Sequence, residues 1–417
     1  MVLVKRVGTV FLGAAAAQAI AFVSMIVLAR ICGPEEIGSF SAWLSFVTVA
    51  SVFFTGRYEL AFFSGRGAND SAAIGKLVVC VALTLAVISI GILFLIDTAV
   101  VVLPVYVSEY LLPLVMTALG IAVNRTIMGV LVLQQNFAGL SYSRVILSIG
   151  VASAQLAAGW LALGVPGLVY GQLVGVISAT CASMFVVDRQ WLWLAVNTPL
   201  SVVKQTLIVH VRFAQFSLPA DLISSISSQL PVLMIAASFG PGPAGMYAIT
   251  YRILGGPVSM LANSVLEVFK EQAARDVRQF GQCVSTYLST LLLLASLALL
   301  PFLMLWFGGE WLFGVLFGAG WEASGRFAEI LSPLFYLSFV ASPLSYTIYI
   351  AQKQSYDLAW QAILFIVTFL AFFLTDNIYE SVKLYAYCYS AMYCIYLYIS
   401  YRCALGSVVL GWKRAKN

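Results

Sequence analysis

The chain has 417 residues, of which 62% are apolar and only 9% charged, and its mean hydropathy is +0.98. A water-soluble domain needs about 25% charged residues to coat its surface, so a soluble globular protein is excluded. The net charge of +5 is small and its basic residues are scattered between apolar runs, which argues against a nucleic-acid surface and for loop charges that orient membrane spans.

Lys5 and Arg6 lead into an apolar run, Val7–Ala29. That run is too long for the core of a cleaved signal peptide and is expected to be a retained first helix. Apolar runs predict further helices at Ile37–Phe63, Ile74–Ile96, Tyr110–Leu133, Arg144–Leu163 and Gly167–Val187. The connection Asp188–Arg212 is partly apolar, with Trp191, Leu192, Trp193 and Leu194. Two readings stand for it: an amphipathic helix in the membrane interface, or a linker between halves. The second half predicts helices at Phe213–Phe239, Ala244–Phe269, Val284–Phe307, Phe327–Ala351, Leu358–Leu374 and Val382–Leu405.

The expected fold is therefore all-α integral membrane, with about twelve transmembrane helices in two six-helix lobes. The lobes are residues 1–190 and 213–417, joined by a cytoplasmic linker or interfacial segment at 191–212. With the N-terminus inside, the cytoplasmic segments collect Arg66, Lys76, Arg144, Arg189, Lys204, Arg212, Lys270, Arg275, Arg278 and Lys353, while the opposite side is mainly acidic. This positive-inside bias predicts both termini in the cytoplasm. No loop is long enough to house a soluble catalytic domain. The seven cysteines are odd in number, contain no C-x-x-C pair and lie mostly in apolar runs, as packing residues do.

The halves echo each other. ARICGPEEIGSFSAW follows the first helix and AASFGPGPAGMYAIT follows the seventh. Gly33, Pro34, Gly38 and Phe40 align with Gly240, Pro241, Gly245 and Tyr247 at one constant offset, almost half the chain. Each hit reads as an outgoing helix, a tight Gly-Pro turn and a returning helix. Two repeats of six helices would share one orientation, and transporters place substrate routes at such interfaces.

Charged residues inside spans are costly and need a reason. The second predicted helix ends in GRYELAFF, carrying Arg57 and Glu59. Arg57 falls roughly 30 Å from the outer end at 1.5 Å per residue, where it snorkels to the interface or faces a cavity open to the cytoplasm. Arg125 lies roughly 22 Å from its helix's outer end, with the same two readings. Arg252 is only about eight residues in from an outer turn and is flanked by apolar sequence, which favours a cavity-facing role. Asp221 follows Pro219, whose ring frees a helix carbonyl. It is expected either to hold a proton or Na⁺ near exposed carbonyls or to pair with a neighbour, and Arg252 sits about nine residues away in depth, too far to be that neighbour. Asn263 and Glu267 lie nearer its depth. His210, the only histidine, falls in a cytoplasmic segment and reads as a bystander. There is no metal-ligand cluster, P-loop or nucleophile elbow in the sequence, so any pumping draws on an ion or substrate gradient.

LARICGPEEIGSFSAWLSFVTVASVFFTGRYELAF resembles the start of Wzx-type polysaccharide-biosynthesis flippases of the multidrug/oligosaccharidyl-lipid/polysaccharide exporter superfamily. YRILGGPVSMLANSVLEVFKEQAARD resembles their eighth helix and following loop, and FGAGWEASGRFAEILSPLFYLSFVASPLSYTIYIAQKQ their tenth. The resemblance implies two lobes around a central cavity and a protein of the bacterial inner membrane. Such proteins carry undecaprenyl-diphosphate-linked oligosaccharide repeat units outward for O-antigen, capsule or exopolysaccharide synthesis, and are not enzymes. A diphosphate needs cationic partners in a wet cavity, for which Arg57, Arg125 and Arg252 are candidates by location. Asp221 is the coupling-ion candidate, and Glu59, Asn263 and Glu267 are further polar candidates. Rocking of the lobes would use kinks at Pro219, Pro257 and Pro343. No cofactor is expected beyond Na⁺ or H⁺. The partners are the lipid-linked oligosaccharide, membrane lipid, and polysaccharide polymerase and chain-length machinery. The main rival is an ion-coupled multidrug antiporter on the same fold, which favours an acidic cavity. A membrane-embedded polymerase usually carries a sizeable outer loop with catalytic Arg or His, whereas the outer loops here are short and lack His. A non-transporting scaffold is the remaining alternative.

Overall fold

The computed structural model describes residues 2–64, 67–96, 105–351 and 353–406, and no strand occurs among them. Its α-helices are α1 (Val2–Ile31), α2 (Pro34–Thr55), α3 (Ala68–Ile96), α4 (Val105–Ser108), α5 (Leu111–Leu133), α6 (Phe137–Trp160), α7 (Gly164–Met184) and α8 (Arg189–Asn197). Then follow α9 (Leu200–Val209), α10 (Leu218–Phe239), α11 (Pro241–Phe280), α12 (Val284–Phe317), α13 (Glu322–Leu344), α14 (Tyr346–Ile350), α15 (Gln354–Phe373) and α16 (Ile378–Ala404). A helix stands at each of the twelve predicted places. Nine of the described helical stretches are long and apolar enough to cross a bilayer. The other three places are held by α11, diluted by charge at its C-terminal end, by α15, whose apolar stretch Ala359–Phe373 is short, and by the tyrosine-rich α16. The chain is a multi-pass α-helical membrane protein.

Several boundaries depart from the sequence expectation, three of them by about eight residues or more. The second helix stops at Thr55, because Gly56 enters the left-handed region at φ 56° and caps the helix end through its N–H to the Phe53 carbonyl. A 3₁₀ segment, Tyr58–Ser64, replaces the predicted last turns. The eighth helix does not stop at Phe269. It runs to Phe280, 40 residues in all, or about 60 Å, twice the roughly 30 Å hydrocarbon layer. Its charged extension is held helical by Lys270–Glu267 at 2.9 Å and Arg275–Glu271 at 2.6 Å, spaced i,i+3 and i,i+4. The ninth helix bends at Gly308 (φ −139°) and resumes to Phe317, so the predicted outer loop is itself partly helical.

The chain packs as two compact units, Met1–Gly245 and Met246–Asn417. The seventh span, α10, thus packs with the first unit, against α2. In the first unit, α1 lies along α6, α6 along α7, and α5 against α2, α3 and α7. The Gly-Pro echo meets itself here. A Cβ added to Gly38 would lie 1.7 Å from the Pro241 carbonyl oxygen, and one added to Gly245 would lie 2.1 Å from that of Pro34. The two motifs cross backbone to backbone, reciprocally, which only glycine permits. The connector is a pair of helices, α8 and α9, bent by 94°. Asp188 caps α8, accepting from the Gln190 N–H at 2.9 Å, and Lys76 of α3 donates to the Val196 and Thr198 carbonyls at its other end, both at 2.7 Å. Trp191 of α8 donates to Ser71 of α3 at 3.0 Å. This element is docked rather than a loose linker, while Trp193, Val196 and Leu200 stay exposed.

In the second unit, α12 and α13 pack along each other and α16 lies against α13 and α15. The core there is Phe269, Tyr287, Leu294, Phe339 and Leu344. Tyr385, Tyr389, Tyr393 and Tyr396 of α16 form an aromatic ladder, with Trp360 of α15 stacked 4.3 Å from Tyr396. All seven cysteines are free. Burial, reinforced by Glu36, pushes the Cys32 thiol up to about 11, in keeping with an inert packing residue.

Candidate functional site

The left-handed cap of α2 decides where Arg57 goes. Arg57 itself adopts φ 59°, one of three non-glycine residues with positive φ among those described, and its N–H bonds the Thr55 hydroxyl at 3.2 Å. Non-glycine residues pay for this conformation, and such strain collects at functional sites. The 3₁₀ turn behind it is anchored by Ala61 and Phe62, buried against Ile74, Ile127 and Val130. The turn therefore holds a cation and an anion, Arg57 and Glu59, on a fixed support.

Arg57 is bonded on two sides. Its Nη1 donates to Glu59 Oε1 at 3.0 Å and its Nε to Asp221 Oδ2 at 2.5 Å. Asp221 stands in the first turn of α10, so of its two expected fates the structure has it paired, with Arg57 as the neighbour. The side chains are 22%, 11% and 35% exposed for Arg57, Glu59 and Asp221 respectively, which makes Asp221 the acid most open to replacement. The second carboxylate oxygen of Glu59 is buried without a partner. Arg125, half-buried on α5, lies within electrostatic reach of both Glu59 and Arg57 and has no hydrogen-bonded partner among the described residues. Two cations thus face two anions in the first unit.

The remaining sequence candidates are elsewhere. Arg252 lies on α11 in the second unit, half-buried, with neither acid nor hydrogen-bond acceptor beside it among the described residues. Asn263 and Glu267 are exposed on the same helix, Glu267 engaged by Lys270. Pro219 falls at the start of α10, directly after a π-helical turn, Phe213–Ser217. A π turn absorbs the register change that a missing proline N–H imposes, and such turns mark functional bends. Pro257 is inside α11, and Pro343 precedes the break between α13 and α14. His210 ends α9 with its ring 6.1 Å from Phe213. One residue escaped the sequence reading: Asn124, 3% exposed, with its amide nitrogen unpartnered. The signal was available, since Asn124-Arg125 is a polar pair inside an otherwise apolar span.

The site residues thus sit on a polytopic helical bundle, with two arginines and two acids grouped in its first unit. The polysaccharide biosynthesis protein family matches residues 3–269, and the chain belongs to that family. No curated protein sequence matches it significantly. Among solved structures it is similar to the lipid II flippase MurJ in an inward closed conformation, at 13% identity and TM-score 0.69, covering 94% of this chain and 87% of that one. It is also similar to a MATE-family multidrug resistance transporter of the MOP superfamily. The inward-facing form gives 12% identity and TM-score 0.62 over 96% of each chain. The outward-facing form gives 14% and 0.57 over 98% and 97%. At these identities the likeness establishes a shared fold.

Proposed function

We propose that the protein is a flippase that moves polyprenyl-diphosphate-linked oligosaccharide repeat units across a bacterial inner membrane, for surface polysaccharide synthesis. The observation that carries this reading is Arg252, half-buried on a span with no acid beside it among the described residues. An uncompensated guanidinium in a low-dielectric setting is costly unless an anion from outside completes it. A diphosphate does so with charge-assisted, bidentate bonds. Arg57 and Arg125 are further diphosphate candidates within the first unit. Family membership supports the substrate class.

Several features complete the proposal. The N- and C-termini lie in the cytoplasm, two lobes of six helices rock in alternating access, and Pro219, Pro257 and Pro343 serve as bends in that motion. Asp221, once released from Arg57, is the candidate site for a coupling H⁺ or Na⁺, and no reaction is catalysed. Polysaccharide polymerase and chain-length machinery act downstream. The antiporter reading gains from the likeness to multidrug transporters, yet a fold does not fix a substrate. A drug-cation site needs free acid, and the carboxylates of Glu59 and Asp221 are both held by Arg57.

The test is deletion of the gene in its host. Lipid-linked repeat units should accumulate on the cytoplasmic leaflet and surface polysaccharide should fall. Unchanged surface polysaccharide in a strain with no second flippase would sink the proposal.

A further inference from the structure

The geometry at Arg57 points to an exchange. A guanidinium can grip a phosphate through two forks of paired N–H groups, the end-on pair Nη1/Nη2 and the side-on pair Nε/Nη2. Glu59 occupies Nη1 at 3.0 Å and Asp221 occupies Nε at 2.5 Å. Asp221 therefore holds the single Nε N–H, while Glu59 takes one of the two on Nη1, and the side-on pair can grip a phosphate only when Asp221 leaves. We infer that Asp221 is an internal stand-in for the substrate's phosphate, displaced from Arg57 as the diphosphate loads. This rests on the flippase reading and assigns Asp221 a role in loading at that site.

Three observations select Asp221 over Glu59 as the acid that leaves. Glu59 sits two residues from Arg57 on the 3₁₀ turn whose Ala61 and Phe62 are buried, so its backbone is pinned beside the guanidinium. Asp221 comes from a separate helix, α10, which begins after the π turn Phe213–Ser217 and carries Pro219 in its first turn. That helix start has fewer backbone constraints than a regular span. Asp221 is also three times as exposed as Glu59, 35% against 11%. Glu59 then has a different task. With its second oxygen buried and unpartnered and Arg125 within electrostatic reach, it keeps Arg57 oriented and tempers the local charge while the exchange proceeds.

The consequence has a sign opposite to that of an ordinary binding residue. While Asp221 holds Arg57 it competes with the substrate, so the empty site is closed to stray anions and the loaded site can be emptied by its return. Removing the carboxylate should tighten substrate binding and slow release.

The full chain reconstituted in lipid nanodiscs, with undecaprenyl diphosphate as the probe, tests this. Asp221→Asn should lower the Kd by about 5-fold, the ratio that a partly exposed ion pair is worth, and should slow dissociation in proportion. Asp221→Glu should stay near wild type. Asp221→Ser serves the same purpose if the Asn variant inserts poorly. Arg57→Gln should weaken binding and make a second substitution at Asp221 silent. Unchanged or weaker binding in Asp221→Asn and Asp221→Ser, with Arg57→Gln still weakening it, overturns the exchange and leaves the flippase reading standing. If Arg57→Gln binds the probe as wild type does, the exchange fails alone; if wild type does not bind the probe, the flippase reading and the exchange fail together.

Discussion

Arg57 and Arg252 belong to helices that carry the same Gly-Pro signature, yet they are placed in opposite circumstances. Arg57 follows α2 and is gripped by two carboxylates. Arg252 lies within α11 and has none among the described residues. The Gly-Pro register bears on where the two helices end, while the arginines themselves are not equivalent positions in it, Arg57 aligning with Ser264 and Arg252 with Ser45. Gly33-Pro34 opens α2 and Gly240-Pro241 opens α11, and in that register Gly56 aligns with Asn263. Glycine at the first position lets the chain turn left-handed and end the helix. Asparagine at the second leaves α11 to run on to Phe280. The end of α2 thereby becomes a fixed turn that presents Arg57 to acids from its own turn and from α10. Its counterpart stays a continuous helix whose arginine remains uncompensated. One cation is conditional and the other is always available.

The largest effect should come from removing the available cation. Arg252→Ala should lower export by roughly 30-fold or more, since a charge-assisted contact to a phosphate in a partly buried site is worth about 2 kcal/mol or above. Membrane insertion should be intact, because no acid is left stranded. Quantifying outer-leaflet repeat units beside the protein's abundance in membranes checks it. Normal export in that variant removes Arg252 from the site and with it the contrast drawn above.

The signature the two helices share can be broken directly. Gly38→Ala puts a methyl into the space of the Pro241 carbonyl, at 1.7 Å as the backbones stand. The helices must part, at a cost of about 1–3 kcal/mol, and the melting temperature should drop by several degrees. Gly245→Ala should do the same, and the two together should cost less than their sum, since one separation relieves both clashes. An additive pair of small effects would mean that the reciprocal contact does not form. Leu12→Ala, at a position 67% exposed on α1, is a neutral comparison.

Much of the fold is legible in the sequence. Twelve apolar runs placed twelve helices, because a bilayer demands long apolar helices and leaves the backbone few other options. The Gly-Pro echo located a contact as well as a turn. Its two glycines, one per motif, proved to pack on each other, which the repeat itself does not require. What stayed hidden needed either a local break or a distant partner. GRYELAFF is apolar enough to continue a span, so hydropathy carried the second helix through Gly56 to Phe63. KEQAARDVRQF is too charged for a span, so hydropathy ends the eighth helix early, although the i,i+3 pair Lys270–Glu267 and the i,i+4 pair Arg275–Glu271 support it as helix. The bond between Arg57 and Asp221 joins residues far apart in sequence, and depth along each helix gives no azimuth from which to infer it.

The smallest expected effect tests the element on which the contrast turns. Gly56→Ala asks an L-residue to hold φ 56°, at about 1–2 kcal/mol, and its methyl would meet the Tyr58 ring at 2.9 Å. The chain has two ways out. It can keep the left-handed cap and absorb the strain, in which case stability falls and Arg57 stays paired, leaving substrate affinity per folded molecule unchanged. Or α2 can continue as a helix through residue 57, which rotates Arg57 away from Asp221. Probe binding in that variant should then resemble Arg57→Gln, and a further Asp221→Asn should have no effect on it. A double-mutant cycle between positions 56 and 221 separates the two. A coupling near zero means that the cap survives and that its glycine matters only to stability. A coupling of about 1 kcal/mol, the worth of a partly exposed ion pair, means that the glycine which ends α2 is also what delivers Arg57 to its acids.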